Sequence, residues 1–191
     1  MRNSISNFSE IAPLKKVLMH RPGGEFLNLT PNTLERLLFD DIPYLVTAQQ
    51  EHDAFAKTLE DCGVEVLYLE NVLLEAIESG KAREELTWEY LHEANIQSEQ
   101  TERDVSAFLS SLTLEKLVQT MARGVRKTDL PDSEKKHLID YIDESYPFCI
   151  DPMPNLYFTR DPFASAGHGA ILNRMYSVTR CRETIYAEYI F

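Results

Sequence analysis

The sequence has 191 residues, 43% hydrophobic and 26% charged, an ordinary globular composition with room for one sizeable core or a core plus a small appended domain. Its formal net charge of −12 argues against nucleic acid as a partner, because tracking phosphates takes clustered Lys and Arg; a small cationic ligand suits this field better. No apolar run approaches the ~20 residues of a membrane span, and the N-terminus has no signal-peptide core, so the sequence reads as a cytoplasmic chain with no membrane partner.

Cys62, Cys149 and Cys181 share no metal-like spacing and suggest neither a disulfide framework nor a zinc site. In chain order, Leu14–Met19 reads as a short buried strand closed by the turn Arg21-Pro-Gly-Gly24. Thr30-Pro31 reads as the cap and first residue of a helix with Leu34, Leu37 and Leu38 on one face. Leu45, Ala48, Phe55, Ala56 and Leu59 keep helical spacing up to Cys62-Gly63, where the glycine is a good stop. Val64–Leu69 follows as a strand. Strand, helix, strand in that order predicts a βαβ-like unit in an α/β domain.

From about Val72 to Tyr146 the chain fills with Glu, Leu, Lys and Ala. Val105, Phe108, Leu109 and Leu112 share one helical face. Leu114, Leu117, Val118 and Met121 form another, between the cap Thr113 and the stop Gly124. These patterns predict a bundle of short helices inserted into the α/β unit. The predicted domains are thus 1–71 (α/β), 72–146 (helical) and 147–191 (return to α/β). Within the last, Gly167-His-Gly169 reads as a turn between short strands and Glu188–Phe191 as an apolar, strand-like edge, a hint of truncation.

The densest polar signal is Asp151-Pro-Met-Pro-Asn-Leu-Tyr-Phe-Thr-Arg-Asp-Pro162. Its prolines preset the backbone, and Asn155, Arg160 and Asp161 stand among Tyr157, Phe158 and Phe163, as a pocket for a small polar ligand requires. As a bare pattern it equally describes a structural loop whose Asp and Asn cap turns. His20 and His168 have no evident partner in the sequence, and all three cysteines read as buried or incidental thiols.

Pro154-Asn-Leu-Tyr-Phe-Thr-Arg-Asp161 closely resembles the PN-x-x-FTRD stretch of arginine deiminases, members of the guanidine-modifying (pentein) superfamily. Ser9–Leu18, His20-Arg-Pro-Gly23, Leu37-Leu-Phe-Asp-Asp-Ile-Pro43 and Arg182-Glu-Thr184 resemble further family signatures in the right order, so the resemblance covers nearly the whole chain. It implies a partial pentein α/β propeller with the helical insertion. It also implies hydrolysis of L-arginine to L-citrulline and ammonia through a covalent cysteine thiouronium, with no metal and no cofactor. By the same resemblance Asp161 holds the substrate guanidinium from one side and Phe158 walls its pocket. Asn155 and Arg180 bind the amino-acid head, Arg180 facing its carboxylate, and the Leu38 backbone faces the same group. A carboxylate suits this task because it orients two N–H groups of a resonance-stabilised cation in a water-poor site.

Family members draw their nucleophilic cysteine, histidine and further carboxylates from motifs not found in this sequence, so the 191-residue chain is expected to be inactive alone. A partial propeller exposes strand edges, which implies a homo-oligomer. Two other readings remain: a different guanidine-modifying enzyme, such as a dimethylargininase or amidinotransferase, and a non-catalytic fragment or assembly module. The helical insertion and the Phe-Thr-Arg-Asp context argue against the first.

Overall fold

Two short strands, β1 (Lys16–Met19) and β2 (Glu65–Tyr68), pair in parallel with Lys16 opposite Glu65 and Met19 opposite Tyr68. The computed structural model describes residues 5–78, 82–131 and 146–191. Between the strands lie α1 (Leu34–Leu37) and α2 (Leu45–Asp61), and α2 carries the crossover that a parallel pair needs. Strand–helix–strand is thus present as anticipated, and Gly63, at φ +80°, ends α2.

Several boundaries differ from the sequence reading. The first strand starts at Lys16, and Leu14 is exposed. The helix expected from Thr30-Pro31 begins only at Leu34, because the Thr33 hydroxyl closes a turn on Thr30: it accepts from the Thr30 N–H at 2.9 Å and donates to the Thr30 carbonyl at 3.0 Å. Leu37 is buried, whereas Leu38 is exposed in the left-handed region at φ 60°, so the two do not share a face. On α2 only Ala56 is buried, and Phe55 faces solvent. The second strand stops at Tyr68 because Leu69, fully buried, already opens α3 (Leu69–Glu78).

The helical stretch is present as α3, α4 (Ala82–Ala94), α5 (Glu99–Ser111) and α6 (Leu114–Arg123). Val105 and Leu109 on α5, and Leu117, Val118 and Met121 on α6, are buried, with Phe108, Leu112 and Leu114 packed against them, as their spacing predicted. Each such leucine contributes about 1.5–3 kcal/mol by leaving water. Thr113 accepts a hydrogen bond from the Lys116 N–H and caps α6. The predicted segment does not stay helical to its end. After Gly124 the chain forms β3 (Val125–Arg126), antiparallel to β4 (Phe148–Ile150). Of the remainder of that segment, 132–145 lies outside the described residues.

Gly167 (φ +57°) and His168 make the expected two-residue turn between β5 (Phe163–Ala166) and β6 (Gly169–Leu172). The apolar terminus is the clearest correction. Glu183–Ile190 is a helix, α7, and not a strand edge; Ile185, Tyr186 and Ala187 are buried and α7 packs on α3 and α4. A short apolar run carries no period that separates strand from helix, and the neighbouring helices decided it. One hydrophobic cluster joins Leu69 and Leu73 of α3, residues of α4 to α6, Ile150 of β4, Met153, Leu156 and Tyr186. The chain is therefore an α/β mixture, with the Asp151–Pro162 loop anchored directly in the helical core.

Candidate functional site

The loop after β4 is held at both ends. Asp151 is nearly buried and accepts from Arg36 Nε at 2.8 Å and from the Tyr146 hydroxyl, while Arg36 also stacks over the Tyr146 ring. Met153 N–H donates to the Ala122 carbonyl at 2.8 Å, and the side chains of Met153 and Leu156 are fully buried. This contact requires a close approach at Gly124. Its φ is +79°, and a Cβ there would lie 2.6 Å from the Ile150 carbonyl oxygen. The polar face of the loop is thus fixed by apolar anchors beneath it.

Pro154–Tyr157 then makes a 3-10 turn, with proline supplying the preset φ. Asn155 is buried, and its Nδ2 donates to the Leu37 carbonyl at 2.7 Å. That bond ties the turn to the end of α1, next to the left-handed Leu38. Thr159 Oγ1 donates to the Leu18 carbonyl at 3.0 Å and ties the same loop to β1. Phe158 is partly exposed and packs on Tyr157, ring centroids 3.9 Å apart, and Tyr157 meets Phe26 edge-on. Asp161 N–H donates to the Phe158 carbonyl, and the Asp161 carbonyl accepts from Asn173 Nδ2, just past β6, at 2.8 Å.

Arg180 enters from the 3-10 turn Val178–Arg180. Its Nη1 donates to Asp161 Oδ2 at 2.9 Å, and its Nη2 lies 3.5 Å from the Asn155 carbonyl. On its other edge, Nε and Nη2 both meet Glu183, a fully buried carboxylate. Burial alone would lower the Arg180 pKa, but Glu183 and Asp161 outweigh it and raise it above its ordinary value, so Arg180 is always cationic. Burial pushes the Glu183 carboxyl up while Arg180 draws it down.

Asn155, Asp161 and Arg180 are therefore brought into one contact network, with Phe158 and Leu38 on adjoining backbone. The sequence assigned Asp161 and Arg180 to opposite ends of a ligand; in this structure they form a direct ion pair. Glu183 was missed. Its three-residue offset from Arg180 is an ion-pairing spacing on a helical path, and no helix was anticipated there. His20 was also misread as lacking a partner: it is buried with Nε2 3.1 Å from Glu25 and Nδ1 against Glu70. His168 sits at the surface, its Nδ1 3.3 Å from the Ile5 carbonyl.

Two of the three cysteines are partly buried, whereas Cys62 is exposed rather than buried at the end of α2. Burial pushes the Cys149 thiol up, away from thiolate, and the Cys181 sulfur donates to the Ser177 and Met175 carbonyls. No described helix is long and apolar enough to cross a membrane.

The arginine deiminase family model matches residues 35–191. The chain is 52% identical over 187 residues to an arginine deiminase of Streptococcus agalactiae serotype Ia and 54% identical over 187 residues to that of Streptococcus equi subsp. zooepidemicus. It is 53% identical over 187 residues to that of Streptococcus pyogenes serotype M3. Each match covers 96% of this chain and 46% of the relative, so the chain spans about half the length of the curated relatives it matches. The chain belongs to the arginine deiminase family.

Proposed function

We propose that the whole protein hydrolyses L-arginine to L-citrulline and ammonia, and that the 154–183 segment forms the wall that binds the amino-acid head and one side of the guanidinium. The observation that carries this reading is the convergence of Asn155, Asp161 and Arg180 on one spot, beside the apolar ring of Phe158. Asp161 Oδ2 already accepts from a guanidinium nitrogen, that of Arg180, which is the interaction a substrate guanidinium would make. For both residues to serve the substrate, Arg180 Nη1 leaves Asp161 as arginine enters. Asp161 then orients the substrate N–H groups and Arg180 turns to the carboxylate.

The reaction adds a cysteine thiolate to the guanidinium carbon, releases ammonia, and hydrolyses the resulting thiouronium with water to citrulline and free thiolate. The thiolate comes from a residue other than Cys62, Cys149 and Cys181: Cys62 ends α2 outside the 154–183 segment, burial pushes the Cys149 thiol up, and Cys181 donates to the Ser177 and Met175 carbonyls. The chain by itself is then a binding half without turnover, needing no metal or cofactor, within a cytoplasmic pentein propeller into which 72–146 is inserted. Citrulline release from L-arginine by the full-length protein tests the reading. Undiminished release by an Asp161→Ala variant would overturn the assignment of the site.

A further inference from the structure

The guanidinium of Arg180 has two usable edges, and they do different things. Nε donates to both Glu183 oxygens, at 2.9 and 3.0 Å, and Nη2 donates to Oε2 at 2.7 Å, so the side-on edge is consumed by one buried carboxylate. The Nη1–Nη2 end alone faces the site, where it meets Asp161 and the Asn155 carbonyl. Glu183 opens α7, whose Ile185, Tyr186 and Ala187 are buried in the core, so this carboxylate is a rigid fixture. Arg180 sits on a short 3-10 turn, and three of its guanidinium contacts go to Glu183.

We propose that Glu183 is a positioning residue: by occupying the side-on edge of Arg180 it aims the end-on edge at the carboxylate of the bound amino acid. Glu183 does not touch the ligand and acts only through Arg180. The inference rests on the arginine reading of the site, and it makes Glu183 a determinant of preference for free amino acids over substrates lacking that carboxylate. A buried carboxylate with no such duty would be served by any neutral hydrogen-bonding group of the same shape.

The test is steady-state citrulline formation by full-length wild type, Glu183→Gln, Glu183→Asp, Arg180→Gln and the Arg180→Gln/Glu183→Gln double variant. Glu183→Gln keeps the shape and removes the charge that holds the guanidinium. It should raise KM by about tenfold, the loss of one charge-assisted hydrogen bond, and leave kcat within about twofold. Glu183→Asp should fall between it and wild type. In the Arg180→Gln background the second change should add nothing, since its only route of action is gone. Glu183→Gln leaves Arg180 paired with Asp161, and Glu183→Asp, which keeps the charge, carries the test if Glu183→Gln fails to fold. An unchanged KM in Glu183→Gln, a fall confined to kcat, or a further KM rise in the double variant overturns the proposal. Absence of arginine turnover in the wild type would instead overturn the functional reading beneath it.

Discussion

Arg180 carries five N–H donors, and its neighbours decide which of them a ligand meets. The same holds at Asp161, whose partly exposed carboxylate has one oxygen on Arg180 and the rest of its surface open. Asp161 stands at the reacting guanidinium in the proposed function and Arg180 at the remote carboxylate. Asp161→Ala in the full-length protein is therefore expected to cut kcat by about a hundredfold or more, and Arg180→Lys mainly to raise KM by removing the planar fork. Equal kcat losses in the two variants would show the roles to be wrongly divided. His20 is a buried imidazole held between two carboxylates. Burial lowers its pKa, but hydrogen bonds and charge from Glu25 and Glu70 reverse this and carry it from 6.5 to about 9. A histidine raised on folding stabilises fully below its unfolded pKa and loses that contribution as pH rises through the folded value. Thermal midpoints should thus fall between about pH 6.5 and 9 in wild type, and more weakly in His20→Gln, where the titrating group is gone. Parallel pH profiles for the two proteins would rule out this role.

At the scale of elements, the junction of α6 with β3 and β4 sets where the Asp151–Pro162 loop lies. Gly124 has φ +79° and ψ 176°, a region open essentially to glycine alone, and its missing side chain lets the Ile150–Pro152 backbone approach. Gly124→Ala meets both obstacles together. It is expected to cost about 2 kcal/mol or more, read as a lower urea midpoint at unchanged m-value. A midpoint equal to wild type would show that the junction relaxes freely. Local signals at this scale were legible from the sequence: the Thr113 cap, the Gly63 and Gly124 stops and the two-residue hairpin turn each follow from the chemistry of one or two residues. The length of α1 was not, because Thr33 competes with Thr30 for the capping role through a turn of its own.

For the molecule as a whole, the expected C-terminal strand edge does not exist, since the chain there is helical, Tyr189 and Ile190 pack against the core and Phe191 meets Phe163 edge-on. Open edges remain elsewhere. Among the described residues β1 and β2 pair only with each other, and Phe8, Ile11 and Leu14 before β1 are exposed. Unpaired strand edges beside apolar side chains invite pairing with another copy. The 191-residue chain is therefore expected to self-associate through β1 and β2, and a monodisperse monomer by light scattering at high concentration would refute this. Introducing Val17→Lys at that edge should shift the assembly toward monomer.

What the sequence by itself determined is the family, carried by Pro154–Asp161 and the other motifs in their order, and the local caps, stops and turns along the chain. The resemblance of Asn155, Phe158, Asp161 and Arg180 to family positions implies a ligand with a cationic and an anionic end, and such a resemblance is legible in sequence because charge and hydrogen-bonding type belong to the residues themselves. Tertiary structure decided everything that depends on which atoms are near. It made Glu188–Ile190 the last turn of a helix, because α3 and α4 offer the apolar side chains of α7 a core. It joined Asp161 to Arg180, 19 positions apart, and gave the side-on edge of that arginine to Glu183. Chain order carries no record of such edges, since they are set by the directions from which separate elements arrive.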